Sequence, residues 1–244
     1  MNYIKDNKIM FNFSYLPIVV ALDFFNKKDI LNFIDQINPT LCRLKIGINT
    51  FMLFGYRLID LLHKRGFKIF LDLKFHDIPN TVLSSIEIAA KMGVWMVDIH
   101  AVSGKSVLLE ARNVLDKFYG DVPLLISVTL LTSLNDHDLI DLGISFSTYN
   151  YTELLAKLSY DCGMDGVVCS GYEANNLKIK FGKKFKLIVP GIRCYNDSYN
   201  DQKRIINPIE AKEIGIDYIV IGRPIINSLN PLKKIKDILF SINN

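Results

Sequence analysis

Phe67-Lys68-Ile69-Phe70-Leu71-Asp72-Leu73-Lys74, followed by Phe75-His76-Asp77-Ile78-Pro79-Asn80-Thr81, is an apolar run that ends in charge. The first part reads as a short strand, and its near-continuous apolar character implies burial on both faces. Such strands belong to parallel sheets covered by helices. In a regular strand, residues i and i+2 share a face, so Asp72 and Lys74 are expected on one side and Leu71 and Leu73 on the other. Unpaired buried charges cost about several kcal/mol each. A carboxylate and an ammonium at the end of such a strand form either a structural ion pair or part of a charged site.

Similar runs recur on both sides of this one. Strands are predicted over Ile18–Asp23, Leu41–Ile46, Lys68–Lys74, Met96–His100, Leu124–Thr129, Gly166–Cys169, Lys186–Pro190 and Tyr218–Gly222. Helical spacing fills the gaps, over Lys28–Ile37, Tyr56–Arg65, Val82–Met92, Val107–Phe118, Tyr151–Cys162, Glu173–Lys180 and Pro208–Ile214. Gly66, Gly93, Gly163-Met164-Asp165 and Gly215-Ile216-Asp217 punctuate the joins. Some eight βα units in 244 residues match the size and count of a TIM (β/α)8 barrel of the α/β class. An open doubly wound sheet is the alternative, but no GxGxxG turn follows the first strand. A single barrel domain is therefore expected over residues 16–244, preceded by a polar N-terminal extension over residues 1–15.

Composition narrows the function classes. Half of the residues are hydrophobic and 22% are charged, which argues against disorder. A net charge of +4 is mild, and the lysines of Lys178–Lys186 and Lys233–Lys236 read as solvated helix ends or turns, so no nucleic acid is expected as a partner. Leu16–Leu22 is too short for a membrane span, contains Pro17 and ends at Asp23 without a cleavage pattern, so neither a signal peptide nor a membrane association is expected. Cys42, Cys162, Cys169 and Cys194 fall in no metal-ligand spacing, which fits reduced thiols and a cytoplasmic setting.

Barrel chemistry gathers at the C-terminal ends of the strands. Those ends carry Asp23, Lys45, Asp72 with Lys74, Asp98 with His100, Ser127 with Thr129, Ser170, Pro190-Gly191 with Arg193, and Gly222-Arg223. Asp23, Lys45, Asp72 and Lys74 alternate acid and base on strands one to three. Such a set can hold ribose hydroxyls and leave one lysine as a proton donor, since an ammonium among carboxylates stays protonated. Pro190–Arg193 and Gly222–Pro224 each place a Gly and an Arg just past a strand, where barrels commonly bind phosphate. The polar stretch Cys194–Lys203 reads as a long loop and a candidate lid over that phosphate. His76 and His100 are rim candidates for a metal, but no further His converges with them by sequence, and a catalytic zinc usually takes three ligands. No metal is expected.

The stretch Asp72–Thr81 closely resembles the signature of the orotidine 5′-phosphate decarboxylase family. So do Val20–Asp23, Leu44–Gly47, Ser127–Ser133, Val189–Arg193 and Val220–Pro224, in the same order, and the likeness runs from about Ile18 to Leu232. The resemblance implies conversion of orotidine 5′-phosphate to UMP and CO2 without metal or organic cofactor. It implies a catalytic set of Lys74, Asp72, Lys45 and Asp77, with Lys74 protonating C6 and Asp72 beside the substrate carboxylate. Asp23 and Lys45 would contact the ribose, and Thr132 would face the pyrimidine and phosphate. Arg193, Gln202, Gly222 and Arg223 would bind the phosphate. The family's homodimer would share its sites, with Asp77 and Thr81 reaching into the partner's. Two other readings stay open: a metal-dependent sugar-phosphate decarboxylase or epimerase on the same barrel, and a non-catalytic nucleotide-phosphate binding protein.

Overall fold

In the computed structural model, which describes residues 17–193 and 206–243, eight parallel strands close into a barrel in chain order. They are β1 (Ile18–Ala21), β2 (Arg43–Gly47), β3 (Ile69–Phe75), β4 (Met96–His100), β5 (Leu124–Val128), β6 (Gly166–Val168), β7 (Lys186–Val189) and β8 (Tyr218–Ile221). Closure is made by β8 pairing with β1, Ile219 beside Ile18 and Ile221 beside Val20. This is the expected TIM barrel. Its residues serve two cores, as strands buried on both faces must. Alternate strand residues such as Val20, Leu44, Leu71 and Val97 pack outward against the helices. Val19, Ala21, Phe70, Met96, Ile126, Ile188 and Val220 fill the interior.

The N-terminal end of the barrel is stoppered. Trp95 and Tyr218 meet edge to face at 4.9 Å, and the Arg43 guanidinium lies over both rings, 4.5 Å and 5.2 Å from their centroids. The two punctuation motifs noted in the sequence work alike near this end. Asp165 accepts the backbone N–H of Leu125 at 2.8 Å, and Asp217 accepts that of Leu187 at 3.0 Å. Each carboxylate also takes a cation, Arg112 at 3.1 Å and Lys178 at 2.6 Å. The aspartate at the start of one strand thus ties down its neighbour.

The expected helices are present with ends shifted by a few residues, as in Pro79–Lys91, where Pro79 opens the helix three residues before Val82. Four further helices were not expected: Ile48–Phe54, Asp136–Asp141, Arg223–Ile226 and Pro231–Asn243. The last absorbs the Lys233–Lys236 cluster, read from sequence as a helix end or turn. Its Ile235, Ile238, Leu239 and Ile242 recur at helical spacing and are buried, while the lysines stay on the outer side.

Strand β3 departs from a regular pleat. Its pairing with β4 runs Phe70 beside Met96 and Leu71 beside Val97, then jumps to Phe75 beside Ile99. Two extra residues bulge out of β3 in that interval. Lys74 lies within it at φ 53°, the only non-glycine residue with positive φ among the described residues. Asp72 and Lys74 share a site, as their i, i+2 spacing predicts, although the strand bulges between them.

Candidate active site

At the C-terminal end of the barrel the interior opens into a cavity of about 260 Å³. Its floor is Phe70, Ile188 and Val220, and its walls include Asp23, Lys45, Asp72, Lys74, Thr132, Arg193, Gly222 and Arg223. Eight of the eleven residues singled out by sequence thus meet in one place. Asp77 and Thr81 do not line this cavity; both are exposed, at the loop and first turn leading into helix Pro79–Lys91. Gln202 and the candidate lid over Cys194–Lys203 lie outside the described residues.

One side of the cavity is a chain of charges. The Lys45 ammonium lies 2.8 Å from Asp72 Oδ2, and the Lys74 ammonium bonds Asp72 Oδ1. Lys45 and Asp72 are nearly buried, whereas the Lys74 side chain is 37% exposed and borders the open space. Burial alone would raise the Asp72 pKa, but Lys45, a hydrogen bond with Asp98 and Lys74 hold it well below the usual carboxylate range. Burial likewise works against the Lys45 charge, and Asp72 and Asp23 overcome it, so the pKa rises. Gly47 makes this convergence possible: a Cβ there would stand 3.3 Å from Lys45 Nζ and 4.0 Å from Asp23 Oδ1.

The other side carries guanidinium groups. Arg193 follows β7 and is almost fully buried; its Nη1 donates to the Ile192 carbonyl at 2.9 Å, and its backbone N–H donates to the Ile206 carbonyl at 3.2 Å. Arg223 follows β8 directly after Gly222, whose missing side chain leaves room against Ala21 and Asp23, each 3.5 Å from where a Cβ would be. Four cations thus face two carboxylates around the cavity. Such a balance selects an anionic ligand, and guanidinium forks suit a phosphate.

Two sequence readings need correction. Ser127 and Thr129 are buried but do not line the cavity: Ile126 and Val128 point inward, so their neighbours face the helices, and the Thr129 hydroxyl donates to the Val168 carbonyl at 2.7 Å. Ser170 is the N-cap of helix Gly171–Phe181, accepting from Tyr172 N–H and bonded to Glu173. His76 and His100 come within 5.7 Å, ring centroid to centroid, but His76 Nδ1 bonds the Ser103 hydroxyl at 2.9 Å. Among the described residues no three His, Cys, Asp or Glu side chains gather as a metal site.

One residue was named at the rim from sequence without a role beyond a possible metal ligand. Asp98 on β4 is fully buried, and its Oδ1 accepts the backbone N–H of Lys74 at 2.8 Å. Its position two residues before His100 was visible in the sequence; its backbone partner was not.

The comparisons with known proteins agree with this geometry. A family model described as "Orotidine 5'-phosphate decarboxylase / HUMPS family" matches residues 16–238. A protein of Buchnera aphidicola subsp. Schizaphis graminum named orotidine 5′-phosphate decarboxylase is 50% identical over 231 residues, 95% of this chain and 98% of its own. One of the same name from Escherichia coli O9:H4 is 50% identical over 226 residues, 93% of this chain and 92% of its own. Among solved structures, orotidine 5′-phosphate decarboxylase from Lactobacillus acidophilus is similar at a TM-score of 0.82 and 33% identity, covering 93% of this chain and 99% of its own. An uncharacterized conserved protein from Geobacillus kaustophilus has the same TM-score at 32% identity, covering 93% of this chain and all of its own.

Proposed function

This chain belongs to the orotidine 5′-phosphate decarboxylase / HUMPS family, and from that premise we propose that it converts orotidine 5′-phosphate to UMP and CO2, the last step of de novo UMP synthesis. The observation that carries the reading is the Lys45–Asp72–Lys74 chain set across one cavity from Arg193 and Arg223. A phosphate held at the guanidinium side places the pyrimidine toward Lys74. The C6–CO2 bond breaks, its electron pair stays on C6, and the Lys74 ammonium stabilises that charge and then transfers its proton there. Asp72, anchored by two cations, stands beside the leaving carboxylate and keeps both ammonium groups aimed. Asp23 and Lys45 border the space for the ribose, and Thr132 the space between base and phosphate. Binding energy from the phosphate, remote from the bond that breaks, can be used to lower the barrier at C6.

The test is turnover of orotidine 5′-phosphate by the purified protein in excess EDTA, followed as loss of the orotate absorbance. Undiminished turnover is expected. A folded protein with no turnover would overturn the reading, and activity lost only to the chelator would favour a metal-dependent sugar-phosphate enzyme instead.

The active unit in this reading is a homodimer. Asp77 and Thr81 are exposed and lie outside their own cavity, with Ile78 68% exposed between them, which suits residues that complete a neighbour's site. Lys74→Ala and Asp77→Ala variants, each poorly active alone, should recover about a quarter of the parent's turnover when mixed and allowed to exchange subunits. Random exchange makes half of the dimers mixed, and each mixed dimer has one whole site. No recovery after verified exchange would remove Asp77 from the partner's site. The buried, unpaired thiols of Cys42, Cys162 and Cys169 fit a reducing cytoplasm.

A further inference from the structure

Asp98 lies at the base of the charged side of the cavity without lining it. Two observations set it apart. Its Oδ1 accepts the backbone N–H of Lys74, the residue whose φ of 53° is unfavourable for any side chain but glycine. Its Oδ2 is buried with no donor among the described residues, although the carboxyl lies in hydrogen-bonding contact with Asp72. Two carboxyl groups can share a hydrogen bond only if one carries a proton. Both Asp72 oxygens already accept from ammonium groups, Lys45 and Lys74. The proton therefore belongs on Asp98, and the oxygen left for it is Oδ2.

We propose that Asp98 is a positioning residue that works as a neutral carboxylic acid: its Oδ1 holds Lys74 in the left-handed conformation, and its Oδ2–H is donated to Asp72. This rests on the decarboxylase reading, since Lys74 and Asp72 are the groups being positioned. Burial, and then the Asp72 charge, push the Asp98 carboxyl well above its ordinary range, in keeping with the neutral form. The charged groups acting on it are Asp72, Lys74 and Lys45. Held this way, the bulge in β3 becomes a rigid arm. Lys74 Nζ stays at the cavity edge, and Asp72 keeps an orientation that serves both ammonium groups. An ionised Asp98 would instead set two negative charges side by side in a buried place.

Asparagine tests this directly, because its amide keeps an acceptor for the Lys74 N–H and a donor for Asp72. Asp98→Asn should keep kcat within about threefold of the parent, whereas Asp98→Ala should lower kcat about thirtyfold with KM changed less than threefold. The infrared spectrum of the parent at neutral pH should contain a protonated-carboxyl stretch that the Asn variant lacks. Thermal stability gives a third readout. A carboxyl whose native pKa is raised holds its proton in the folded state and releases it on unfolding, so it weakens folding as pH rises above its unfolded value. The Tm difference should therefore shift in favour of Asp98→Asn between about pH 4 and pH 7. An Asn variant as impaired as the Ala variant, or a parent with no acid stretch, would overturn the proposal. Parent turnover is measured in the same assay, and the infrared and Tm readouts need no substrate, so failure here is distinct from failure of the decarboxylase reading.

Discussion

Lys74→Ala is expected to slow turnover of orotidine 5′-phosphate by about 10⁴-fold or more, the size of effect that follows when one group supplies both charge stabilisation and the proton. UMP should still bind within about tenfold of the parent's affinity, because Arg193, Arg223, Asp23 and Lys45 are untouched and product release needs no proton from position 74. The fold should survive as well. Asp72 keeps its contact with Lys45 at 2.8 Å, so no carboxylate is stranded, and the Lys74 side chain is already partly exposed. Single-turnover decay of the orotate absorbance, paired with calorimetric UMP titration, separates the two quantities. Turnover near the parent's would remove Lys74 from the chemistry; loss of UMP affinity in step with turnover would reduce it to a binding group.

Arg223→Ala should lower kcat/KM for orotidine 5′-phosphate by about 10²–10³-fold, the usual cost of truncating one partner of a desolvated charge pair. The discriminating substrate is the nucleoside orotidine, which has no phosphate. Parent and variant should process it at the same slow rate, because the guanidinium has nothing to hold. An equal loss on both substrates would mean that Arg223 acts on the reacting base or on the fold, not on the phosphate. Arg223 follows β8, whereas Asp72 and Lys74 sit on β3, three strands away around the barrel. Energy gained at one side of the cavity reaches the other only through the shape of the bound nucleotide.

The barrel was legible because eight strands buried on both faces leave eight apolar runs with turns between them, a pattern few other folds produce. Residues at the strand ends were legible for a related reason: charges following such runs have few places to go but the open end. What escaped depends on features that side-chain type does not encode. No residue preference signals that Lys74 adopts positive φ, since lysine is an ordinary choice almost everywhere else. Asp98 and His100 share a face in any strand, so spacing alone could not distinguish a backbone acceptor from a metal ligand. Ser127 and Thr129 were misplaced by parity: one residue's shift along β5 separates the cavity from the helix layer. Helix Pro231–Asn243 was obscured by its three lysines, although its buried isoleucines and leucine keep the 3.6-residue period.

Arg43, stacked on Trp95 and Tyr218, makes the barrel a blind vessel. Among the described residues the packed interior below Phe70 and Met96 offers no second exit, so whatever enters at the rim must leave there too. In the decarboxylase reading, carbon dioxide released beside Lys74 starts next to the carbon it has just left. A carbanion in that position can recapture the gas. Quenching it at once with a proton makes the step run forward, so the stoppered end gives the reaction a clock that an open channel would not impose.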